Sequence, residues 1–257
     1  MSAAVAPPKM VAETAHGEVV PAFAIIGWRW ISRNPAATVA PILTPFIFLY
    51  FLRIISPASL FPAEVVGAML FTTQNIGNWV LGDSATWRIH TGLQDLFVAS
   101  PLGKVRYLFG IALSNLIPAA PALVVLGLVL ASVTTVPLAF WFVLVGAVAV
   151  IWILFSAIGI AISSRVKSQR EIWPVGNLVF TVVGMLTPLY YPLSAVPPLW
   201  RDAALCLPST YAALLLRGAL APGSLSTATM LLYAGLLIGS AALGTVLALR
   251  LYRWKSP

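Results

Sequence analysis

Six stretches of this chain, at 35–52, 65–82, 107–130, 138–162, 172–192 and 225–249, contain no Asp, Glu, Lys or Arg. A helix rises about 1.5 Å per residue, so roughly 20 mostly apolar residues cross a hydrocarbon core about 30 Å thick. A water-soluble domain could not cover its surface with such material. Of the 257 residues, 60% are hydrophobic and 9% are charged, against about 25% charged in a soluble domain. The predicted fold class is an all-α integral membrane protein with six transmembrane helices.

The charges between these runs set an orientation. The formal net charge is +8, and the basic residues lie in short clusters between apolar runs. That pattern fits the positive-inside rule and not nucleic-acid binding. With the N-terminus inside, the inner segments hold Lys9, Arg29, Arg33, Arg88, Lys104, Arg106, Arg165, Lys167, Arg170, Arg250, Arg253 and Lys255. The outer segments hold Arg53, Arg201 and Arg217. Both termini are therefore predicted to be cytoplasmic. Residues 1–20 are polar, rich in Pro and Ala, and lack the apolar run of a signal peptide; they read as a disordered cytoplasmic tail. Residues 21–257 read as a single transmembrane domain.

The segments that do not span carry their own signals. Residues 23–33, FAIIGWRWISR, mix apolar and basic residues, with Trp28 and Trp30 flanking Arg29. They suit an amphipathic helix lying in the inner interface. Between the second and third spans, Thr91-Gly92-Leu93-Gln94 has the form of a capping box. Thr91 would cap a backbone N–H three residues on, and Gln94 would reach back. A short helix is predicted over 92–99, stopped by Ser100-Pro101. In it Leu93, Leu96 and Phe97 make one apolar stripe, with Gln94 and Asp95 off it.

On the outer side, two apolar pieces are too short to span. The first, 199–207, follows Pro197-Pro198; the second, 211–220, follows Ser209 or Thr210 as a cap and stops at Pro222-Gly223. They predict a re-entrant pair of short helices. Arg217, inside the second piece, must snorkel or pair, with Asp202 or Glu64 as candidate partners.

Several chemistries have no residues to carry them. The sequence has no phosphate-binding G-x-x-x-x-G-K-[ST], no G-x-S-x-G and no H-E-x-x-H. His16 and His90 fall in a tail and a loop. The single cysteine, Cys206, excludes an internal disulfide and reads as a packing residue. None of the seven acidic residues lies inside a span, so no catalytic, cofactor-binding or metal-binding residue is expected; the energy for any transport is expected from elsewhere, with a Na⁺-coupled carrier that uses backbone carbonyls as the alternative.

Uncharged polar residues do enter the spans. The second holds Thr72, Thr73, Gln74, Asn75 and Asn78; the fifth holds Asn177 and Thr181, four apart on one face. Asn75, Asn78, Asn177 and Thr181 are candidates for a translocation path and, equally, for contacts between helices. Thr72, Thr73 and Gln74 read as interhelical contacts. Gly235 and Gly239 in the sixth span have the G-x-x-x-G spacing that serves close packing within a chain or between chains. Pro41, Pro45, Pro118 and Pro121 predict kinks.

The order of these parts resembles the type-2 ABC transporter permeases, membrane subunits of half-size exporters. Residues 91–110, TGLQDLFVASPLGKVRYLFG, look like that family's cytoplasmic coupling helix. Residues 190–220 look like its re-entrant outer helices, with a Pro-x-x-Tyr followed by Arg-Gly, here Pro208, Tyr211, Arg217 and Gly218. The interfacial helix before the first span is the third point of likeness. The family usually has Gly-Thr-Leu-Glu where this chain has Thr91-Gly92-Leu93-Gln94, so a carboxylate is missing at Gln94 and Asp95 is the available substitute. The resemblance implies ATPase coupling through Leu93, Gln94, Asp95, Leu96 and Phe97. It implies a separate cytoplasmic ABC ATPase that binds ATP and Mg, a second permease copy or a homologous permease, and a bacterial plasma membrane. The implied cargo is drug-, lipid- or glycan-like. The competing reading, a small membrane enzyme or a stand-alone carrier, needs an ionisable constellation within the spans, which this sequence does not supply.

Overall fold

The computed structural model describes residues 19–100, 102–221, 223–252 and 254. Among them ten α-helices form, and no strand. They are α1 (Val19–Arg33), α2 (Pro35–Ile55), α3 (Phe61–Ile89), α4 (Leu93–Ala99) and α5 (Lys104–Val133). The chain continues with α6 (Leu138–Ser163), α7 (Gln169–Leu186), α8 (Pro198–Leu205), α9 (Pro208–Leu220) and α10 (Thr227–Leu251). The tail expected over 1–20 lies outside the described residues except for Val19 and Val20, which open α1.

Most apolar runs seed helices that outgrow them. α3 has 29 residues and α5 has 30, about 43 and 45 Å of helix. The reason is local: from Asp83 to Ile89 the chain meets neither Pro nor Gly, so nothing stops α3 where its apolar run ends. Asp83 and Arg88, expected in a loop, are therefore helical, and Glu64 sits in the first turn of the same helix. α7 behaves oppositely. Its run was expected to reach 192, but the helix stops at Leu186, because Thr187 is extended before Pro188. In α5, Pro118 and Pro121 lie inside a continuous helix.

α5, α6 and α10 are long and apolar enough to cross a membrane. α8 and α9 meet the same measure only as a pair, bent by 95° at their junction. α2, α3 and α7 occupy the first, second and fifth expected runs, α3 and α7 with less apolar character. Gln74, Asn75 and Asn78 dilute α3, and Arg170 and Glu171 dilute α7; in α2 the described apolar stretch is Leu43–Ile55.

α3 is the hub. It packs against α2, α4, α5, α6, α7 and α9, while α1 runs along α5 and α10 lies on α6 and α9. Leu70, Leu81, Leu126, Phe140 and Ile151 are fully buried around it. At the crossing of α3 and α6 the backbones touch: a Cβ on Gly159 would stand 2.2 Å from the Gly77 carbonyl oxygen. Small residues allow this approach, and it holds the two helices in register. On the outside, Tyr50, Ile55, Leu128, Phe142 and Leu231 are each more than 60% exposed. An apolar belt of that extent suits lipid and not water.

Two expectations about single residues change. A Cβ on Gly235 or Gly239 would meet nothing within 4 Å, so the G-x-x-x-G of α10 does not serve packing among the described residues. Cys206, expected to be a packing residue, is exposed at the bend between α8 and α9.

Candidate functional site

The four path candidates come together. Asn75, Asn78, Asn177 and Thr181 line one cleft of about 540 Å³ between α2, α3 and α7, beside Thr44 and Trp79. Asn78 Nδ2 donates to Asn177 Oδ1 at 3.0 Å, so these two side chains line the cleft and join its walls at once. Gln74 Nε2 donates to the Phe180 carbonyl at 3.3 Å and bridges the same pair of helices. Thr72 and Thr73, expected to bridge helices, do not. Their hydroxyls donate at 2.8 Å to the carbonyls of Ala68 and Met69, one turn back in α3. A threonine inside a helix can satisfy itself locally, which removes its reason to seek a neighbour.

At the C-terminal end of α3, Gly92 adopts a left-handed conformation, φ 64°, and turns the chain into α4. The expected capping box is not formed. The backbone N–H of Thr91, which Gln94 was to reach, already donates to the Thr86 carbonyl at 3.1 Å. Gln94 is instead fully buried. Its Nε2 donates to the Trp254 carbonyl at 3.1 Å, and its Oε1 accepts the Tyr252 hydroxyl at 2.8 Å. An amide can donate and accept in these two places, whereas the carboxylate usual in the resembling family could only accept. Burial pushes the Tyr252 phenol above its ordinary pKa, which keeps it a donor.

The expected apolar stripe of α4 is divided. Phe97 turns inward, its ring 5.6 Å from Phe23, 6.1 Å from Trp87 and 5.2 Å from Tyr107. Leu96 is 67% exposed, next to exposed Asp95, and Leu93 is half-buried. A seven-residue helix anchored on one side can present only part of its apolar content outward.

Two cations read from the sequence only as orientation signals do structural work here. Lys104 Nζ donates to the carbonyls of Leu249 and, at 2.8 Å, Tyr252, closing the C-terminus of α10. Arg88 Nη2 donates at 2.6 Å to both Ser163 and Val166 carbonyls, closing the end of α6. The sequence signal was a cation at the edge of an apolar run, which does not say which helix end it will close.

In the bent pair, Pro208 opens α9, and no side chain caps it. Ser209 and Thr210, expected as caps, are inside the helix. Ser209 Oγ lies 3.0 Å from Thr187 Oγ1, and Thr210 donates to the Ala204 carbonyl. Tyr211 donates to the Leu205 carbonyl at 2.7 Å and fixes the bend. Gly218 packs under Leu225, whose Cδ1 would be 2.3 Å from an added Cβ. Arg217 pairs with neither Asp202 nor Glu64: its Nη2 donates to the Leu189 carbonyl at 2.8 Å. Helix α7 ends before Leu189, so that carbonyl has no helical partner and offers the guanidinium a nearer target than either acid.

A comparison with curated proteins finds no match. The family model described as ABC-2 type transporter matches residues 22–221, from within α1 to just past α9. That match takes in the cleft, α4 and the bent pair, and covers well over half of the chain. Members are membrane subunits of ABC transporters that work with an ABC ATPase; the chain belongs to the ABC-2 type transporter family and is a permease of that kind.

Proposed function

We propose that this chain is the permease of an ATP-driven exporter in a bacterial plasma membrane. It moves a drug-, lipid- or glycan-like cargo outward on energy from a separate cytoplasmic ATPase, which holds the ATP and Mg. In this reading α2, α3, α5, α6, α7 and α10 are six spans of a single membrane domain over 21–257, with both termini cytoplasmic. α1 lies in the inner interface, and α8 with α9 re-enters the outer leaflet. Two copies of the chain, or this chain and a homologous permease, form the path. Gly235 and Gly239, unoccupied within one copy, suit a helix contact between them.

The observation that carries the reading is the two-sided character of α4. Its outward side offers Asp95 and Leu96. Its inward side is fixed to α1, α3 and α5 through Phe97 and to the C-terminal segment through Gln94. A displacement applied at Leu96 is therefore passed to α3, which also carries Asn75 and Asn78 of the cleft. That is the arrangement a coupling helix requires, and Leu93 to Phe97 divide the work between contact and anchorage.

The test is co-purification with the ATPase together with ATP hydrolysis in reconstituted vesicles. Leu96→Asp is expected to abolish both association and stimulation while leaving the permease folded. Full association and stimulation in that variant would remove α4 from the coupling role. Orientation is tested separately on a Cys206→Ser background, where a cysteine at Ser168 should react from the cytoplasmic side and one at Ser59 from outside.

A further inference from the structure

We propose that a second cavity, which meets the asparagine cleft at Trp79 and Trp173, binds an amphipathic organic cation. The cavity has a volume of about 590 Å³ and lies between α1, α3, α5 and α7. Trp30, Trp79, Trp87 and Trp173 line it, four of the nine tryptophans of the chain. The charged group in its wall is Asp83, with Asn115 beside it.

The carboxylate is held in place, and no counter-charge lies beside it among the described residues. Asn115 Nδ2 donates to Asp83 Oδ2 at 2.9 Å and is itself tied to the Ile111 carbonyl at 3.1 Å. No basic side chain among the described residues pairs with Asp83. Arg88, one turn further along α3, is committed to the carbonyls of Ser163 and Val166. A half-buried carboxylate with indole faces around it attracts a cation twice over, by its charge and by the negative faces of the rings. A neutral apolar guest would use the indoles and leave the carboxylate unpaired; an anion would be repelled. The volume lies in the range of sites that enclose drug-sized ligands. Trp79 and Asp83 are four residues apart and so share one face of α3, with Trp87 one further turn along.

Trp79 and Trp173 line this cavity and the asparagine cleft alike. On the export reading, on which this part of the inference rests, the cage receives the cargo and the cleft carries it on. The same chemistry could come from a free organic cation or from the choline headgroup of a lipid.

The experiment uses the full chain in phosphatidylglycerol nanodiscs with tetraphenylphosphonium as probe. Saturable binding is expected, and Asp83→Asn, which retains a partner for Asn115, should weaken it at least about tenfold. Asp202→Asn, at an exposed position of α8, should leave it unchanged. Tetraphenylborate, of the same shape and opposite charge and titrated in place of the probe, should show no binding that depends on Asp83. Should Asp83→Asn fail to yield a monodisperse protein, Trp173→Leu serves instead. Trp173 is 55% exposed, so its loss spares the core, and binding should again fall. Wild-type affinity in either variant, or Asp83-dependent binding of tetraphenylborate, overturns the proposal. Weaker probe binding in phosphatidylcholine nanodiscs identifies the lipid headgroup as the occupant; unchanged binding identifies a free cation. Hydrolysis by the co-purified ATPase separates the two readings. Binding that depends on Asp83 while hydrolysis ignores the probe keeps the cage and counts against its place in export.

Discussion

The two ends of α3 are built on opposite plans. At the C-terminal end polar side chains are committed to backbone: Arg88 to two carbonyls of the α6 terminus, Lys104 to two at the α10 terminus, and Gln94 to Trp254 with Tyr252 closing on it. The Arg88 Nε and the Tyr107 hydroxyl are the side-chain groups buried there without a partner among the described residues. At the N-terminal end Glu64 is 1% exposed, and neither carboxylate oxygen has a hydrogen-bond partner. Arg217 uses Nη2 on the Leu189 carbonyl and leaves a buried Nη1 idle. An unpaired buried polar group costs about 1–3 kcal/mol. One end is therefore a clamp, and the other retains polar capacity that a rearrangement could satisfy. If α4 is the coupling helix, as proposed, that division would make the clamp the rigid input and the bent pair the yielding output.

The contrast is broken most forcefully at Arg88. Arg88→Met removes two charge-assisted hydrogen bonds and strands the carbonyls they satisfied, so a loss of about 3 kcal/mol is expected. Thermal unfolding of the purified protein reads it directly. Arg201, in α8 of the bent pair, reaches the Ser194 and Val196 carbonyls only at 3.4 and 3.3 Å, and Arg201→Met should cost less than about 1 kcal/mol. Similar losses at both positions would show that the ends do not differ.

Neighbours on α4 sharpen the same point. Phe97→Ala empties one place in a four-ring cluster and should cost about 2 kcal/mol of stability. Leu96→Ala, one residue earlier, should leave the unfolding midpoint alone. It should weaken ATPase association by about 2 kcal/mol, a factor of about 30. If Phe97→Ala were stable and selectively uncoupled, the ring would be a contact and not an anchor.

Much of this architecture was legible as apolar runs, because a spanning helix is specified by its own residues. The candidate cleft was legible in part for a similar reason: Asn75 and Asn78, like Asn177 and Thr181, carry helical spacing within single helices. The clamp was not. Gln94 meets its partner 160 residues away in the chain, and the local pattern it forms with Thr91 pointed to a cap that Thr86 had already made redundant. The tryptophan cage draws on four helices, so no window along the sequence contains it. The reach of α3 is not legible in its apolar run, which ends at Asp83 although the helix continues to Ile89.

Arg217 marks an intermediate case. Arg217→Leu removes its bond to Leu189 and also relieves the idle Nη1, so the expected net loss is about 1 kcal/mol. Transport should suffer more than stability, because the bond joins α9 to the segment after α7. A stability loss as large as that of Arg88→Met would mean that Arg217 is a clamp residue after all.

The smallest expected effect has the opposite sign. Glu64 lies in the first turn of α3, where the helix dipole favours an acid by up to about 1 kcal/mol. Against that stands a buried carboxyl group with no hydrogen bond, at about 1–3 kcal/mol. Leucine has a similar volume and no polar atoms to satisfy, so Glu64→Leu should raise stability by about 1 kcal/mol. The double variant with Arg217→Leu should be additive within about 0.5 kcal/mol, since the two side chains make no ion pair in this state. A destabilising Glu64→Leu, or a coupling energy above about 1 kcal/mol, would mean that Glu64 and Arg217 already hold each other in the resting protein. The N-terminal end of α3 would then be a second clamp, and the yielding part of the molecule would have to be sought in the cleft, where Asn78 and Asn177 meet across a single 3.0 Å bond.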